Sequence, residues 1–372
     1  MKLVFLIDQV YLHGGIERVL SIKANYLAAL DNYEVFIITT EQKNNSACYE
    51  FDNRIKFQDI AINYNRKKSY FHPDNLKKLP KHIRRTKAAL KKINPDVVVV
   101  CSHSVDTYFT PFINKRIPKV KEFHYSKYIE LEKRRNPGSL FKKYFLKFAD
   151  YVEGKYDKLV VLNPDEATYY KTGNTIVIPN PLTFYPENIS DVSQKVVIAA
   201  GRIAPVKGYD ILIDIWETIH KERKDWQLHI YGNGEKTYIK ELQDKIHQKK
   251  LETTLILQGP TSDMKGKMQM SSIFAMTSHN ECFPLVLLEA QACGLPIISF
   301  DCPHGPRNII DDTNGLLIPL YDQKAFSNQL LEAMDSPEKL RRMGKNAREH
   351  ALRFEVRHIM NIWINMFTAL SN

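Results

Sequence analysis

Long apolar runs are missing from this 372-residue chain. The longest spans about six residues, against the roughly 20 that a membrane-spanning helix needs, so no transmembrane segment is expected. The opening stretch Met1–Asp8 is too short, and turns acidic too soon, for a signal peptide; it reads as a buried strand. Cysteine is scarce. Cys48, Cys101, Cys282, Cys293 and Cys302 are odd in number and none sits at CxxC spacing, which argues against a zinc site or disulfide framework and for a reducing cytoplasm. No strand is followed by GxGxxG, so the nicotinamide or flavin fingerprint is absent, and GxxxxGK[ST] is not matched either. No well-placed DxD triad offers carboxylates to a divalent metal; Asp311-Asp312 reads as a turn before Asn314-Gly315. Signatures of RRM, KH, OB or zinc-finger modules are missing, and no nucleic-acid partner is expected. Repeats and low-complexity segments are also absent. With 44% hydrophobic and 26% charged residues the chain is neither disordered nor fibrous, and its length allows two or three domains.

Short apolar strands alternate with amphipathic helical stretches, the pattern of α/β architecture with parallel sheets. Strands are predicted near Lys2–Asp8, Glu34–Thr39, Asp96–Cys101, Lys119–Phe123, Lys158–Leu162 and Thr175–Ile178, and helices near Gly15–Leu30, Asn75–Ile93, Ser139–Glu153 and Pro164–Thr172. Pro179 and Pro181 exclude helix and central strand alike, so residues 181–194 read as a linker. A second series has strands near Val196–Gly201, Gln227–Tyr231, Thr254–Gln258, Ser272–Met276, Pro296–Phe300 and Leu316–Ile318. The last helix, about Val356–Leu370, sets Ile359, Ile362, Trp363, Met366 and Leu370 at helical spacing and reads as packed structure. The expected organisation is two doubly wound domains, 1–180 and 195–352, with a C-terminal helical segment 353–372 packing back on the body. Two such domains facing each other leave a cleft at the carboxyl ends of their strands, where ligands of open parallel sheets bind.

The net charge of +11 is unevenly placed. Residues 1–185 hold 31 Lys and Arg against 19 Asp and Glu, whereas the remainder holds 22 against 23. The excess positive charge therefore lies in the first half, which points to an anionic partner there: nucleic acid, a phosphate-bearing substrate or an acidic membrane surface.

Three fragments could carry chemistry. Gly14-Gly15 follows the first strand and opens a helix, where backbone N–H groups can approach an anion; alone, it is equally an ordinary strand-to-helix turn. Gly201-Arg202…Lys207-Gly208 places two cations where the second domain's first strand ends, which suits a diphosphate, with Arg as a bidentate fork and Lys as a point charge; two solvated surface cations are the bland alternative. Glu281 and Glu289 flank an apolar stretch that opens a helix. A Glu on such a face is costly unless it meets donors such as ribose hydroxyls or an internal cation.

In this order and spacing, together with Ile178-Pro179-Asn180-Pro181 and Gly232-Asn233-Gly234-Glu235, these residues resemble the retaining, GT-B-fold glycosyltransferases of family 4 over nearly the whole chain. Gly305-Pro306…Ile309-Ile310…Asn314-Gly315-Leu316-Leu317 is similar to members that build bacterial surface polysaccharides and lipid-linked oligosaccharides. The chain departs from the family where Asn308 stands for a frequent Glu and Cys282 for a frequent Gly, and Pro284 has no N–H to offer. The resemblance implies that Arg202 and Lys207 hold the donor diphosphate, Glu289 the ribose and Glu281 the donor sugar. Gly14, Gly15, Gly201, Gly232, Gly234, Cys282, Phe283, Leu285 and Val286 would line the donor site. His124, after a strand, matches the histidine placed near the reaction centre; His103 is its rival, and for either a plain loop role is the alternative. No metal and no cofactor are implied: the nucleotide sugar, a UDP-sugar by resemblance, is a substrate. A hexose or N-acetylhexosamine would pass with retention to a hydroxyl of a glycan or polyprenyl-diphosphate-linked saccharide.

The basic half would then be the acceptor side. Asn75–Ile93 carries Lys77, Lys78, Lys81, Arg84, Arg85, Lys87, Lys91 and Lys92, and the stretch 133–147 mixes Lys133, Arg134, Arg135, Lys142, Lys143 and Lys147 with Leu140, Phe141, Tyr144 and Phe145, with Phe148 directly after it. Such mixtures suit the inner leaflet of an anionic membrane, giving a cytoplasmic protein peripheral on its inner face; alternatively, the apolar stripe packs on the first sheet and the lysines are merely solvated. Two competing readings remain: a nucleotide-sugar 2-epimerase of the same architecture, and a non-enzymatic binder of nucleic acid or an anionic surface.

Overall fold

The structure, a computed structural model, describes every residue except Pro137 and Asn372, and of the others every side chain except those of Glu132 and Lys133. The chain forms two compact units, Met1–Pro181 with Val356–Asn372, and Leu182–Glu355.

The first unit is built on seven parallel strands: β1 (Lys2–Ile7), β2 (Glu34–Thr39), β3 (Lys56–Asp59), β4 (Val97–Val100), β5 (Lys119–Glu122), β6 (Lys158–Val161) and β7 (Thr175–Val177), in the order β3-β2-β1-β4-β5-β6-β7. The second holds β8 (Val196–Ala200), β9 (Gln227–Tyr231), β10 (Leu255–Gly259), β11 (Ile273–Met276), β12 (Ile297–Phe300) and β13 (Gly315–Ile318), in the order β10-β9-β8-β11-β12-β13. In both sheets the order reverses beside the first strand, the Rossmann-like arrangement. Helices cover both faces, so central strands such as β1 and the four valines of β4 are continuous apolar runs. That burial makes these strands readable from sequence.

Several elements differ from expectation, among them an unexpected short helix Asp106–Phe109 and the helix Pro164–Ala167, which stops short of Thr172. β3, Lys-Phe-Gln-Asp, is an exposed edge strand with no apolar run to announce it. The predicted helix Asn75–Ile93 is two pieces, Pro73–Leu76 and Leu79–Ile93, because Pro80 can sit only in a first helical turn. A helix over Tyr128–Arg135 was not expected. Of residues 181–194, read as a linker, all but Pro181 belong to the second unit: Val192 is in its core, the Leu182 amide donates to the Phe354 carbonyl at 2.6 Å, and the Ser190 amide to the Cys293 carbonyl at 2.9 Å.

The C-terminal helix Val356–Ser371 returns to the first unit. It buries Ile359, Met360, Trp363, Met366 and Phe367 among Leu3, Phe5, Leu20 and Ala24, while Ile362 and Leu370 are only partly covered. Trp363 also faces Lys23, whose Nζ lies 4.2 Å from a Trp363 ring centroid. Lys23, Lys119, Lys121 and Lys127 are all buried, so four of the first half's cations are not exposed at the surface. Lys121 donates to the carbonyls of Val100, Ser102 and Glu122, and burial pushes its ammonium down to about 8.

Candidate functional site

At the reversal in the second sheet, β8 and β11 send their exit loops apart, and the crevice between such loops is where ligands bind. The β8 loop carries Gly201, Arg202, one 3-10 turn over Pro205–Lys207, and Gly208 ahead of the helix Tyr209–Glu222. Gly208 ties the two loops together. Its φ is +63°, and a Cβ there would overlap the Thr277 carbonyl oxygen just past β11. The Thr277 hydroxyl in turn donates to the Gly208 carbonyl at 2.9 Å. Gly232 does the same for the β9 loop: a Cβ on it would overlap the Gly201 carbonyl oxygen, and the Ile203 amide donates to the Asn233 carbonyl at 2.8 Å. Gly234 lies equally close against Ile203.

This frame brings Lys207 and Glu281 together. Lys207 Nζ donates to Glu281 Oε1 at 2.5 Å, and the same oxygen accepts from Ser278 Oγ at 2.7 Å. With side-chain exposures of 19% and 12%, the pair is mostly withdrawn from water yet reachable from the crevice. The Glu281 backbone is stitched to the β12 exit, its amide donating to Pro303 and its carbonyl accepting from Gly305. Arg202 is exposed and makes no ion pair among the described residues.

Helix Leu285–Ala292 follows, with Pro284 at its start and no side-chain cap. The leading amides of a helix lack intrahelical acceptors, and here Leu285 and Val286, both partly exposed, head it. Cys282 and Phe283 point inward; Phe283 meets the Phe354 ring edge-on at 5.4 Å, so only their backbone could face a ligand. Glu289 is buried on the same helix and accepts from Thr183 Oγ1 at 2.8 Å. The structure thus joins Lys207 with Glu281 and the three loop glycines, and places Glu289 on the adjoining helix rather than in direct contact with that pair.

In the first unit, His124 Nε2 lies 3.1 Å from Glu122 Oε1, and the buried Glu122 also holds Lys23. Burial alone would raise the Glu122 carboxyl; Lys23, helped by His124, outweighs it and holds the group well below the usual range. His103 is exposed, and its ring lies 6.4 Å from that of His124. The two candidate histidines are therefore neighbours. At Gly14-Gly15 the anion position of helix Gly15–Ala28 is taken by the protein itself: the Glu17 carboxylate folds onto Gly14, where a Cβ would be, and Gln9 Nε2 donates to it at 2.6 Å.

Sequence reading missed a polar cluster at the first unit's own reversal point, between β1 and β4. Asp8 follows β1 and Glu41 lies two residues past β2; Arg66 bridges them, with Nη2 3.1 Å from Asp8 Oδ2 and Nε on Glu41 Oε1. Tyr70 donates to Asp8 Oδ2 at 3.2 Å. Past β4, Asp106 accepts from Ser102 at 2.5 Å and Ser104 at 2.8 Å. Asp8 Oδ1 and Glu41 Oε2 have no partner among the described residues. Burial, reinforced by Asp106 and opposed by Arg66, raises the Asp8 carboxyl. The available signal was an acid within two residues of the end of each of two adjacent strands.

Two Rossmann-like units in one chain, the second with cations and a carboxylate at its reversal point, define the GT-B class of transferase fold. Family descriptions agree: Glycosyltransferase Family 4 matches residues 13–183 and Glycosyl transferases group 1 matches residues 184–350. The chain belongs to the family 4 glycosyltransferases. It is 27% identical to the amylovoran biosynthesis glycosyltransferase AmsD of Erwinia amylovora, covering 97% of this chain and 98% of that one. An uncharacterized glycosyltransferase of Haemophilus influenzae is also 27% identical, with the same coverage. Among solved structures, HepE of Anabaena, crystallised with UDP, superposes with a TM-score of 0.79 at 20% identity, over 99% of this chain and all of that one.

Proposed function

We propose that this protein transfers a hexose or N-acetylhexosamine from a UDP-sugar, with retention, to a saccharide hydroxyl in cell-surface polysaccharide synthesis. The observation that carries this reading is the Lys207–Glu281 pair at the second unit's reversal point, with Arg202 two residues past β8. In glycosyl transfer, charge develops on the β-phosphate oxygen as the nucleoside diphosphate leaves, and fixed cations aimed at it are the main lever. Arg202 offers a planar fork and Lys207 a point charge, while the amides heading helix Leu285–Ala292 add partial positive charge. We assign that role to Arg202 and Lys207 rather than to a divalent ion.

Glu281, held by Lys207 and Ser278, is suited to accept hydroxyl hydrogens of the donor sugar; Glu289 is suited to the ribose. Family membership and similarity to AmsD support the polysaccharide context; UDP is proposed as the nucleotide bound in the HepE structure. In the first unit, Asp8, Glu41 and Arg66 offer acceptors and a donor suited to saccharide hydroxyls, and His124 and His103 adjoin the β5 and β4 exits.

A thermal-shift panel of UDP, GDP, ADP, CDP and TDP tests this, with Glu289→Ala as control. A ligand at ~100 times its Kd adds about 2.7 kcal/mol to native stability. Stabilisation by one nucleotide that is lost in the variant is expected; no shift with any of them counts against the reading.

A further inference from the structure

The two basic segments of the first unit have different structural fates. In helix Leu79–Ile93 the stripe of His82, Thr86, Ala89 and Leu90 is buried, and its cations are solvated or satisfied locally, as where Arg85 donates to the Ile60 carbonyl at 2.6 Å. That helix is ordinary amphipathic cover. Helix Leu140–Glu153 is different: among its residues only Val152 and Glu153 are buried. Leu140, Phe141 and Tyr144 are 72%, 79% and 65% exposed, and Phe148 and Tyr151 are exposed on the same face. A water-soluble helix normally turns such a face to the core.

The surface extends beyond one helix. Phe71 meets Phe145 edge-on at 4.8 Å, Tyr108 stacks on Phe148 at 6.2 Å, and Phe112 stacks on Tyr151 at 6.3 Å, joining three separate chain segments into one aromatic patch. Exposed Lys142, Lys143 and Lys147 edge it along the helix; Lys147 and Lys155 reach over Tyr144 and Tyr151 at 5.9 and 4.7 Å. The two acids of the helix are already engaged: Asp150 with Arg134 at 2.9 Å and Glu153 with Lys127 at 2.5 Å. The side chain of Lys133, counted with this segment in the sequence, lies outside the described residues.

We infer that this patch seats the first unit on an anionic phospholipid bilayer. Aromatic rings enter the headgroup boundary while the flanking ammonium groups meet lipid phosphates, the arrangement of an interfacial helix lying in the membrane plane. No helix among the described residues is long and apolar enough to cross a membrane, so the contact is interfacial. Charge complementarity selects the bilayer over a second copy of this chain, because a self-complementary pairing would set this cationic rim against itself. The inference deepens the proposed function, on which it rests only for its consequence: the acceptor would be a lipid-linked saccharide met at that surface.

The test is sedimentation of the full chain with vesicles, without donor or acceptor. Binding is expected to equimolar phosphatidylglycerol–phosphatidylcholine vesicles, with release at raised salt and weak binding to phosphatidylcholine alone. Replacing Lys142, Lys143 and Lys147 together by Gln should weaken binding about 100-fold, and Phe141→Ser/Tyr144→Ser should abolish it with unchanged melting temperature. Activity on a soluble acceptor should survive Phe141→Ser/Tyr144→Ser, whereas KM for a vesicle-borne acceptor should rise. Failure to bind anionic vesicles, binding indifferent to these substitutions, or a dimer that Phe141→Ser/Tyr144→Ser dissociates would overturn the inference. Lys207→Ala should still bind vesicles, which separates this result from failure of the transferase reading.

Discussion

Lys207→Ala is the most informative single substitution. The ammonium sits 2.5 Å from Glu281 Oε1 and is largely shielded, so its removal has two consequences of different kind. It leaves a mostly buried carboxylate with the Ser278 hydroxyl as its remaining hydrogen-bond donor, a stability cost of about 1–3 kcal/mol. It also removes one cation from the departing diphosphate, for which loss of an oxyanion donor is the guide: about 10²- to 10³-fold in kcat, or ~2.7–4 kcal/mol. A cycle with Glu281→Gln separates the two. If Lys207 only neutralised Glu281, the double variant would regain stability and turn over as fast as Glu281→Gln alone. We expect it to regain stability and be slower than Glu281→Gln. The assay is steady-state release of nucleoside diphosphate, paired with urea denaturation of each variant. Unchanged turnover in Lys207→Ala, or full rescue by Glu281→Gln, refutes the assignment.

Other expectations follow from particular contacts. Gly208→Ala must place a Cβ against the Thr277 carbonyl at φ +63°, so a loss of about 1–3 kcal/mol and a lowered melting temperature are expected; wild-type stability would contradict the role given to that turn. Trp363→Ala should cost about 3–5 kcal/mol, because the ring fills the first unit's core; a urea midpoint unmoved from wild type would contradict that packing. Buried His82, hydrogen-bonded to Tyr64 at 3.1 Å, has its imidazole pushed down to about 4 by burial. Its folded pKa lies below its unfolded one, so wild type should lose about 3 kcal/mol relative to His82→Gln as pH falls from about 6.5 through 4. Parallel stability curves for the two would refute this. Turnover should be unaffected by excess EDTA; its loss would sink the cation-only account of the leaving group.

Much of the architecture was legible because helices cover both faces of these sheets, making the strands short unbroken apolar runs. β3 was not, since an exposed edge strand needs no such run. Strand β5 was found despite two buried lysines and a buried glutamate: Lys119 donates to the nearby Asn114 and Ile117 carbonyls, whereas Lys121 reaches Val100 and Ser102 and Glu122 holds Lys23, distant partners that leave no local signature. The family pattern put Lys207 and Glu281 in one site, but their ion pair across 74 positions was not expected. The Asp8–Arg66–Glu41 cluster was missed because Arg66 sits in a loop whose return to the β1 exit is a tertiary event. Conversely, the mixture of aromatics and lysines over 133–147 was noticed in the sequence, but periodicity cannot tell a face turned to the core from one turned to solvent.

The most direct test of the account is calorimetric titration of the full chain with UDP, in wild type and Arg202→Ala. Saturable binding at one site, weakened about tenfold or more in the variant, is the predicted result. Absence of nucleotide binding, or equal affinity in the two proteins, would contradict the placement of the donor diphosphate at the β8 exit.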